Sequence, residues 1–189
     1  MSESAQKGSV TERLVFRVEP SQYPLLAGGA FYQLEEDALY VQVGAPEERF
    51  FSFIESTGVR LDMDRDGRLL FIEVSVPRRR WWVTDKMEWP EHSFPAVMRW
   101  LDFRTEIATP SLFTNKKRNV LSIRFSSNDM VACWALSHSV VALVDATDAV
   151  AQLVVRDIVD DVAGQEIAAF RRAHRAGPSQ SERYLQPQM

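Results

Sequence analysis

The sequence contains very little cysteine and no long apolar run. Its single cysteine, Cys133, cannot form an internal disulfide, so we expect a reducing compartment. No stretch approaches the roughly 18 consecutive apolar residues that a membrane-spanning helix needs. Residues 1–10 also lack the apolar segment of a signal peptide. These absences predict a cytoplasmic protein without a membrane segment, and we expect the polar residues 1–10 and 177–189 to be mobile.

The residue patterns that usually accompany catalysis are also missing. The three histidines, His92, His138 and His174, stand at no metal-ligand spacing, and no cysteine cluster accompanies them. Segment 27–31 lacks the lysine of a phosphate-binding loop. A net charge of −4 argues against a protein that coats nucleic acid. The sequence therefore predicts no catalytic residue, although an undetected hydrolase stays open as an alternative.

The chain does contain an internal repeat. When the sequence is aligned with itself at an offset, three segments of the first half match three segments of the second half in the same order. The matched segments have the period of half-buried strands. The first two matches need a shift of 82 residues, and the third needs two more residues inserted. We infer two diverged copies of one unit, at residues 11–76 and 101–158. The matched segments are 37–43 with 119–125, 58–61 with 140–143, and 64–74 with 148–158.

Each copy predicts five short strands separated by turns such as RDG and SSND, which is typical of antiparallel meanders. We expect an α+β fold that is mainly β, with two duplicated antiparallel β-meander units packed together. The strands predicted in the first copy lie near residues 14–18, 39–43, 50–54, 59–63 and 69–76. Those predicted in the second copy lie near residues 101–105, 120–125, 131–136, 140–144 and 152–158.

Two segments outside the copies predict helices. Residues 77–100 form a linker rich in arginine, tryptophan and proline. Within it, Ser93 followed by Pro95 predicts the start of a short helix. Residues 159–176 carry an apolar stripe, with acids early and arginines late, so they predict a C-terminal helix that covers a sheet.

The first copy resembles a known bacterial family. Its segments EEDALYVQV and STGVRLDMDRDGRLLFIEV are similar to the small domain of unknown function DUF2283, over residues 35–74. The second copy departs from the pattern, with Ala151 in place of Gly67. The resemblance implies a compact β-meander, and it brings no known activity or binding residue.

The acidic segment DMDRDGRLLFIE matches the spacing of an EF-hand calcium loop. Its flanks alternate with the period of strands, which favours a solvated acidic hairpin in which Gly67 supplies a positive φ. Calcium binding stays open as the weaker alternative, and no other cofactor is predicted. The candidate calcium ligands are Asp62, Asp64, Asp66 and Glu73.

The segment PRRRWW is the second candidate site. Consecutive arginines followed by tryptophans can bind another protein, or they can grip phosphates and stack on bases. The overall acidity makes nucleic acid the less favoured partner. The alternative is a solvated strand edge with one tryptophan packed inward. The residues predicted to bind a partner are Arg78, Arg79, Arg80, Trp81 and Trp82.

The leading functional prediction is therefore a non-enzymatic protein-interaction module, whose partner is another protein or a second copy of the chain. An immunity or inhibitor protein that blocks a toxin or enzyme is one alternative. A small-ligand or calcium-binding module with a cleft between the copies is another, and a phosphate or nucleic-acid binder is a third. If a specific site exists, the loss of the acidic hairpin from the second copy predicts that the site is asymmetric.

Overall fold

A computed structural model describes residues 16–45, 48–87, 93–101, 107 and 109–175, and for residues 170, 171 and 173–175 it describes the backbone alone. Fourteen strands, one 3-10 turn and one helix make up the described fold. In the first half they are β1 Phe16–Pro20, β2 Gly29–Gln33, β3 Ala38–Gln42, β4 Ser52–Ser56, β5 Val59–Met63, β6 Leu69–Val74, the 3-10 turn Arg78–Arg80 and β7 Trp82–Val83. In the second half they are β8 Phe94–Trp100, β9 Ser111–Thr114, β10 Leu121–Arg124, β11 Met130–Ser137, β12 Val140–Asp145, β13 Val150–Val155, β14 Val159–Asp160 and α1 Gln165–Arg175.

The strands form two sheets, and the α+β, mainly β class expected from the sequence is confirmed. The first sheet has six strands in the order β14-β2-β3-β6-β5-β4. The second has eight strands in the order β1-β8-β11-β12-β13-β10-β9-β7. Both sheets contain the same five-strand unit, because β2-β3-β6-β5-β4 and β9-β10-β13-β12-β11 have the same order. In each unit three consecutive strands form an antiparallel meander, and a hairpin adds to it through its second strand.

The two units exchange their last short strands. β7 follows the first unit along the chain but pairs in parallel with β9 of the second unit, and β14 follows the second unit but pairs with β2 of the first. The two pairings are equivalent, since Trp82 lies beside Phe113 and Val159 lies beside Phe31. This exchange ties each unit to the other through backbone hydrogen bonds.

One apolar core lies between the two units. Alternation places every second residue of β5 inward, so that Val59, Leu61 and Met63 are buried while the residues between them are half-buried. These residues belong to the same buried cluster as Leu121 and Leu153 of the second sheet. Both units supply this main core, and two smaller buried clusters lie apart from it, one around β3 and β6 and one around β11, β12 and β13.

The prediction of a short linker helix after Ser93 is wrong. Residues 94–100 instead form β8, which pairs antiparallel with β1 and in parallel with β11. Its side chains Ala96, Met98 and Trp100 are buried, whereas those between them are half-buried. This alternation has the period of a strand, and burial of the three apolar side chains outweighs the local helix-start signal at Ser93 and Pro95.

The C-terminal helix is present but begins at Gln165, later than the predicted residue 159. Residues 159–160 form β14, and Gly164 then turns the chain with a φ of +63°. The Asp161 carboxylate accepts a hydrogen bond from the N–H of Ile167 at 3.1 Å, which caps the first turn of the helix. Ile167 packs on the outer face of the first sheet.

Several expectations fall partly outside the described residues. The predicted strand at 14–18 is described from Phe16 onward, and of the predicted strand at 101–105 only Leu101 is described. The termini 1–10 and 177–189 also lie outside. Among the described residues, no helix is both long and apolar enough to cross a membrane.

Candidate functional site

Residues 64–68 of the acidic segment form the tight turn between β5 and β6, named here the acidic turn. The Oδ1 atom of Asp64 accepts hydrogen bonds from the N–H groups of Asp66 and Arg68, both at 2.8 Å. The N–H of Gly67 donates to the Asp64 carbonyl oxygen at 3.1 Å, and Gly67 has a φ of +75°. The Asp64 carboxylate therefore closes the turn by binding its own backbone.

The same turn recurs between β12 and β13. There the Oδ1 atom of Asp145 accepts hydrogen bonds from the N–H groups of Thr147 at 2.8 Å and Ala149 at 3.2 Å. The Thr147 hydroxyl donates at 2.6 Å, and the Asn128 amide donates to Oδ2 at 2.7 Å. These hydrogen bonds, that of the Thr147 hydroxyl foremost, lower the pKa of Asp145 to about 2.

The two turns correct the alignment of the copies. Asp145 holds the place of Asp64, and Asp148, with a φ of +60°, holds the place of Gly67. The sequence alignment that set Ala151 against Gly67 was therefore wrong. Aspartate tolerates left-handed backbone better than most residues, so it can replace glycine in this turn without a glycine signature in the sequence.

The four candidate calcium ligands do not converge. Asp62 forms an ion pair with the Arg60 Nε at 2.7 Å, and the Asp66 side chain is 60% exposed. Glu73 lies within β6, opposite Arg60. In the part of the chain that the structure describes, no group of three or more His, Cys, Asp or Glu residues is placed to hold a metal ion. Calcium binding stays a prediction without a ligand cluster to support it.

Arg78, in the segment PRRRWW, makes its contacts with other residues of the protein. Its guanidinium lies 3.9 Å from the centre of the Tyr32 ring, and its Nη2 lies 2.7 Å from Asp160. Its N–H donates to the Tyr32 hydroxyl at 2.9 Å, and its carbonyl accepts from Arg118 at 2.8 Å. Arg78 thereby connects β2, β14 and the second unit, so it is not available to a partner.

The other four residues of the segment divide between interior and surface. Trp81 is 2% exposed, and its indole N–H donates to a backbone carbonyl at 2.9 Å. Arg79 is exposed and pairs with Asp37, whereas Arg80 and Trp82 lie on the surface, Trp82 with 72% exposure. The five predicted partner-binding residues therefore do not form one surface.

Three further groups have pKa values shifted by their surroundings. Burial, with the hydrogen bond to Asp37, raises the pKa of Tyr32. The hydrogen bond from Tyr32, with that from Arg79, lowers the pKa of Asp37. Burial also raises the pKa of the Cys133 thiol, which lowers its thiolate fraction and hence its reactivity. These shifts follow from packing, and none of them prepares a nucleophile.

A surface that the sequence reasoning missed lies at β4, an edge strand of the first sheet. Phe50, Phe51 and Phe53, named here the phenylalanine edge, are 41%, 49% and 44% exposed. In the sequence this surface corresponds to the run RFFSF, which was predicted only as part of an ordinary strand. Exposed aromatic side chains this close together are typical of an interaction site.

Arginines surround the phenylalanine edge. The Arg60 guanidinium lies 3.9 Å from the centre of the Phe53 ring, and that of Arg65 lies 5.9 Å from the centre of the Phe51 ring. Arg49 and Arg65 are exposed and form no ion pair with a carboxylate of the described residues. This end of β4 therefore combines exposed aromatic rings with positive charge.

In the second unit Val131 and Cys133 hold the places of Phe51 and Phe53, so the position of Phe51 is exposed there as well but carries no aromatic ring. The strand equivalent to β4 is β11, and β8 pairs with the outer edge of β11 at Trp134 and Ala135. Cys133 of β11 faces Leu143 as Phe53 of β4 faces Asp62, and Cys133 is half-buried. Within residues 16–45, 48–87, 93–101, 107 and 109–175, no strand pairs with the outer edge of β4.

Comparison with known proteins adds no relative. No model of a known protein family matches the chain, and no curated protein matches it. Function is therefore inferred from the geometry of this chain.

Proposed function

We propose that this protein is a non-enzymatic interaction module that binds an extended, acidic segment of another protein along the outer edge of β4. The observation that carries the proposal is the phenylalanine edge, in which three aromatic side chains are exposed beside an edge strand. Natural proteins usually protect strand edges, because an unpaired edge invites pairing with another chain. An edge that is bare and aromatic is therefore suited to binding.

An extended segment matches both features of this surface. Its backbone can pair with the outer N–H and C=O groups of β4 and so add a seventh strand to the six-stranded first sheet. Its side chains on one face would then contact Phe53, which is 44% exposed. Aromatic side chains supply large apolar contact area, so they frequently dominate binding energy.

Charge favours an acidic partner. Arg49 and Arg65 lie at the N-terminal end of β4, and both are exposed. Acidic side chains of a bound segment would face these arginines, which favours encounter and fixes the register. A second copy paired in parallel would bring Arg49 and Arg65 towards their own duplicates, which is unfavourable. Antiparallel pairing would instead bring them towards Glu55 of the other copy, so light scattering is needed to separate self-association from binding of another protein.

The other predictions relate to this proposal in different ways. An immunity or inhibitor protein would be one biological form of it, with the toxin or enzyme supplying the extended segment. The resemblance of residues 35–74 to DUF2283 and a cytoplasmic location remain parts of the proposal. Nucleic acid is disfavoured further, because Arg78 and Trp81 are taken up by internal contacts.

The test uses two synthetic peptides and hydrogen exchange. A peptide of alternating Glu and Val residues should bind the protein more tightly than one of alternating Lys and Val residues. Binding should slow the exchange of backbone amides in β4. Changing Phe51→Ser together with Phe53→Ser should weaken the Glu–Val peptide at least about tenfold, since two aromatic contacts supply roughly 1–2 kcal/mol or more.

The matched control removes exposed apolar side chains elsewhere. Trp82→Ser with Val83→Ser alters β7, where the two side chains are 72% and 51% exposed, and it should leave peptide affinity unchanged. Equal binding of both peptides, or full binding by the double phenylalanine variant, would contradict the proposal. A dimer in light scattering that the phenylalanine changes dissociate would assign the edge to a second copy and also overturn it.

A further inference from the structure

A cavity of about 350 Å³ lies between the two units, and none of its lining residues belongs to the phenylalanine edge. Its walls come from the segment between β1 and β2, the segment between β3 and β4, the start of β6, and β8 and β11. This volume lies within the range of about 300–1,000 Å³ that is usual for small-molecule sites. The lining residues are Ser21, Tyr23, Pro24, Leu25, Leu26, Val43, Gly44, Ala45, Glu48, Arg68, Leu69, Pro95, Ala96, Val97, Met98 and Leu136.

The lining is mainly apolar, with one charged pair. Arg68 and Glu48 are the charged residues among the described lining residues, and their closest atoms, Nη1 and Oε1, are 3.6 Å apart. The Nη2 atom of Arg68 lies 3.9 Å from Asp66. Both distances are longer than a hydrogen bond, so these ion pairs leave guanidinium N–H groups available for an acceptor.

Arg68 is held in place by the acidic turn. Its N–H donates to Asp64 Oδ1 at 2.8 Å, and its carbonyl accepts from the Asp64 N–H at 3.0 Å. Its Nε atom is buried and has no acceptor among the described residues, while its side chain as a whole is 37% exposed. A guanidinium that is under-bonded and carried on a fixed backbone gains from an additional hydrogen-bond acceptor.

The charge balance indicates which acceptor fits. Two carboxylates, those of Glu48 and Asp66, lie within 4 Å of this one guanidinium. A carboxylate on a ligand would add a third negative charge beside Glu48, which is unfavourable next to low-polarity walls. A neutral carbonyl or amide oxygen can accept from Arg68 without that repulsion.

We propose that this cavity binds a small, uncharged and mainly apolar molecule whose carbonyl-type oxygen accepts a hydrogen bond from the Arg68 guanidinium. The acidic turn then has a role that needs no metal, because Asp64 fixes the backbone that carries Arg68. The second unit has Ala149 at the equivalent position, so this site belongs to the first unit. None of the lining residues belongs to β4, and the cavity does not depend on the function proposed for β4.

Three probes of similar apolar character test the chemistry. In NMR titrations octanamide should bind saturably and shift the resonances of the lining residues. Octanoate, at neutral pH, should bind about tenfold or more weakly, and toluene reports the contribution of the apolar walls alone. Arg68→Met should weaken octanamide about tenfold while leaving toluene affinity unchanged, because the stem remains and the guanidinium is lost.

A filling variant checks that the probes enter this cavity. Val97→Trp places a large side chain at a half-buried lining position and should abolish binding of all three probes. Val131→Trp, at a residue that is 62% exposed and outside the lining, serves as the control and should bind as the wild type does. Urea unfolding is measured first for each variant, and only variants that are folded are compared in the titrations. Absence of saturable octanamide binding, tighter binding of octanoate, or unchanged binding by folded Val97→Trp would each overturn the proposal.

Discussion

Gly67 is the position at which the acidic turn contacts the rest of the protein. Its carbonyl oxygen accepts a hydrogen bond from the N–H of Trp100 at 2.8 Å, which joins the turn to the end of β8. Its φ is +75°, and a Cβ atom built at this position would lie 2.5 Å from the Trp100 carbonyl oxygen. Replacing Gly67 with alanine therefore perturbs both the turn and its contact with β8.

The expected loss of stability has two parts. An alanine in left-handed backbone costs roughly 1–2 kcal/mol. The clash involves a backbone oxygen that no side-chain rotation can relieve, so Trp100 must move and its hydrogen bond weakens, which adds about 1–1.5 kcal/mol. The free energy of unfolding of Gly67→Ala should therefore fall by roughly 2–3.5 kcal/mol, which corresponds to a melting temperature lower by on the order of 10 °C.

Urea unfolding measures this loss, and Gly164→Ala is the matched control. Gly164 also has a left-handed φ, +63°, but a Cβ atom built there would have the Gln33 amide nitrogen, at 3.9 Å, as its nearest neighbour. The control therefore carries the conformational part alone, about 1–2 kcal/mol. If both variants lose the same free energy of unfolding, with the same slope against urea concentration, the contact between the turn and β8 is not a source of stability.

Two further predictions concern buried charges. Because the pKa of Asp145 is lowered to about 2, its carboxylate stabilises the fold above pH 4, and that contribution, about 2 kcal/mol, should disappear as the pH falls from about 5 towards 2. Urea unfolding as a function of pH should show this loss in the wild type and not in Asp145→Asn; equal acid sensitivity would contradict it. Arg78→Met should lower the free energy of unfolding by roughly 1–3 kcal/mol, because Asp160 and Tyr32 lose their partner, whereas the exposed Arg80→Met should change it by less than about 0.5 kcal/mol. Equal melting temperatures for these two variants would contradict the claim that the contacts of Arg78 with Asp160 and Tyr32 stabilise the fold.

The sequence predicted well those strands whose neighbours follow them in the chain. The β5 strand was predicted with its observed bounds, because alternation of Val59, Leu61 and Met63 with polar residues is a local property. The strands β2, β7, β9 and β14 were missed, and a helix was predicted where β8 lies. Two of them are only two residues long and exist through pairing with the opposite unit, which no local pattern reports.

The candidate sites were predicted less well, for a related reason. Arg78 to Trp82 are consecutive in sequence, yet the 3-10 turn and β7 send their side chains in different directions. The run RFFSF of the phenylalanine edge looks like any apolar strand until its position at the edge of a sheet is known. Exposure is a property of the assembled sheets, so a sequence pattern can indicate the strand but not the open edge.

The sequence by itself determined the mainly β class, the alternation of buried and exposed positions, and the repetition along the chain, since each depends on residues close together in the chain. The tertiary structure alone decided that both units share the main core and that they exchange β7 and β14. It also decided that β8 pairs with part of β11, while the outer edge of β4 lacks a partner strand among the described residues. These outcomes depend on contacts between residues distant in sequence, whose energies appear only when the two units pack together.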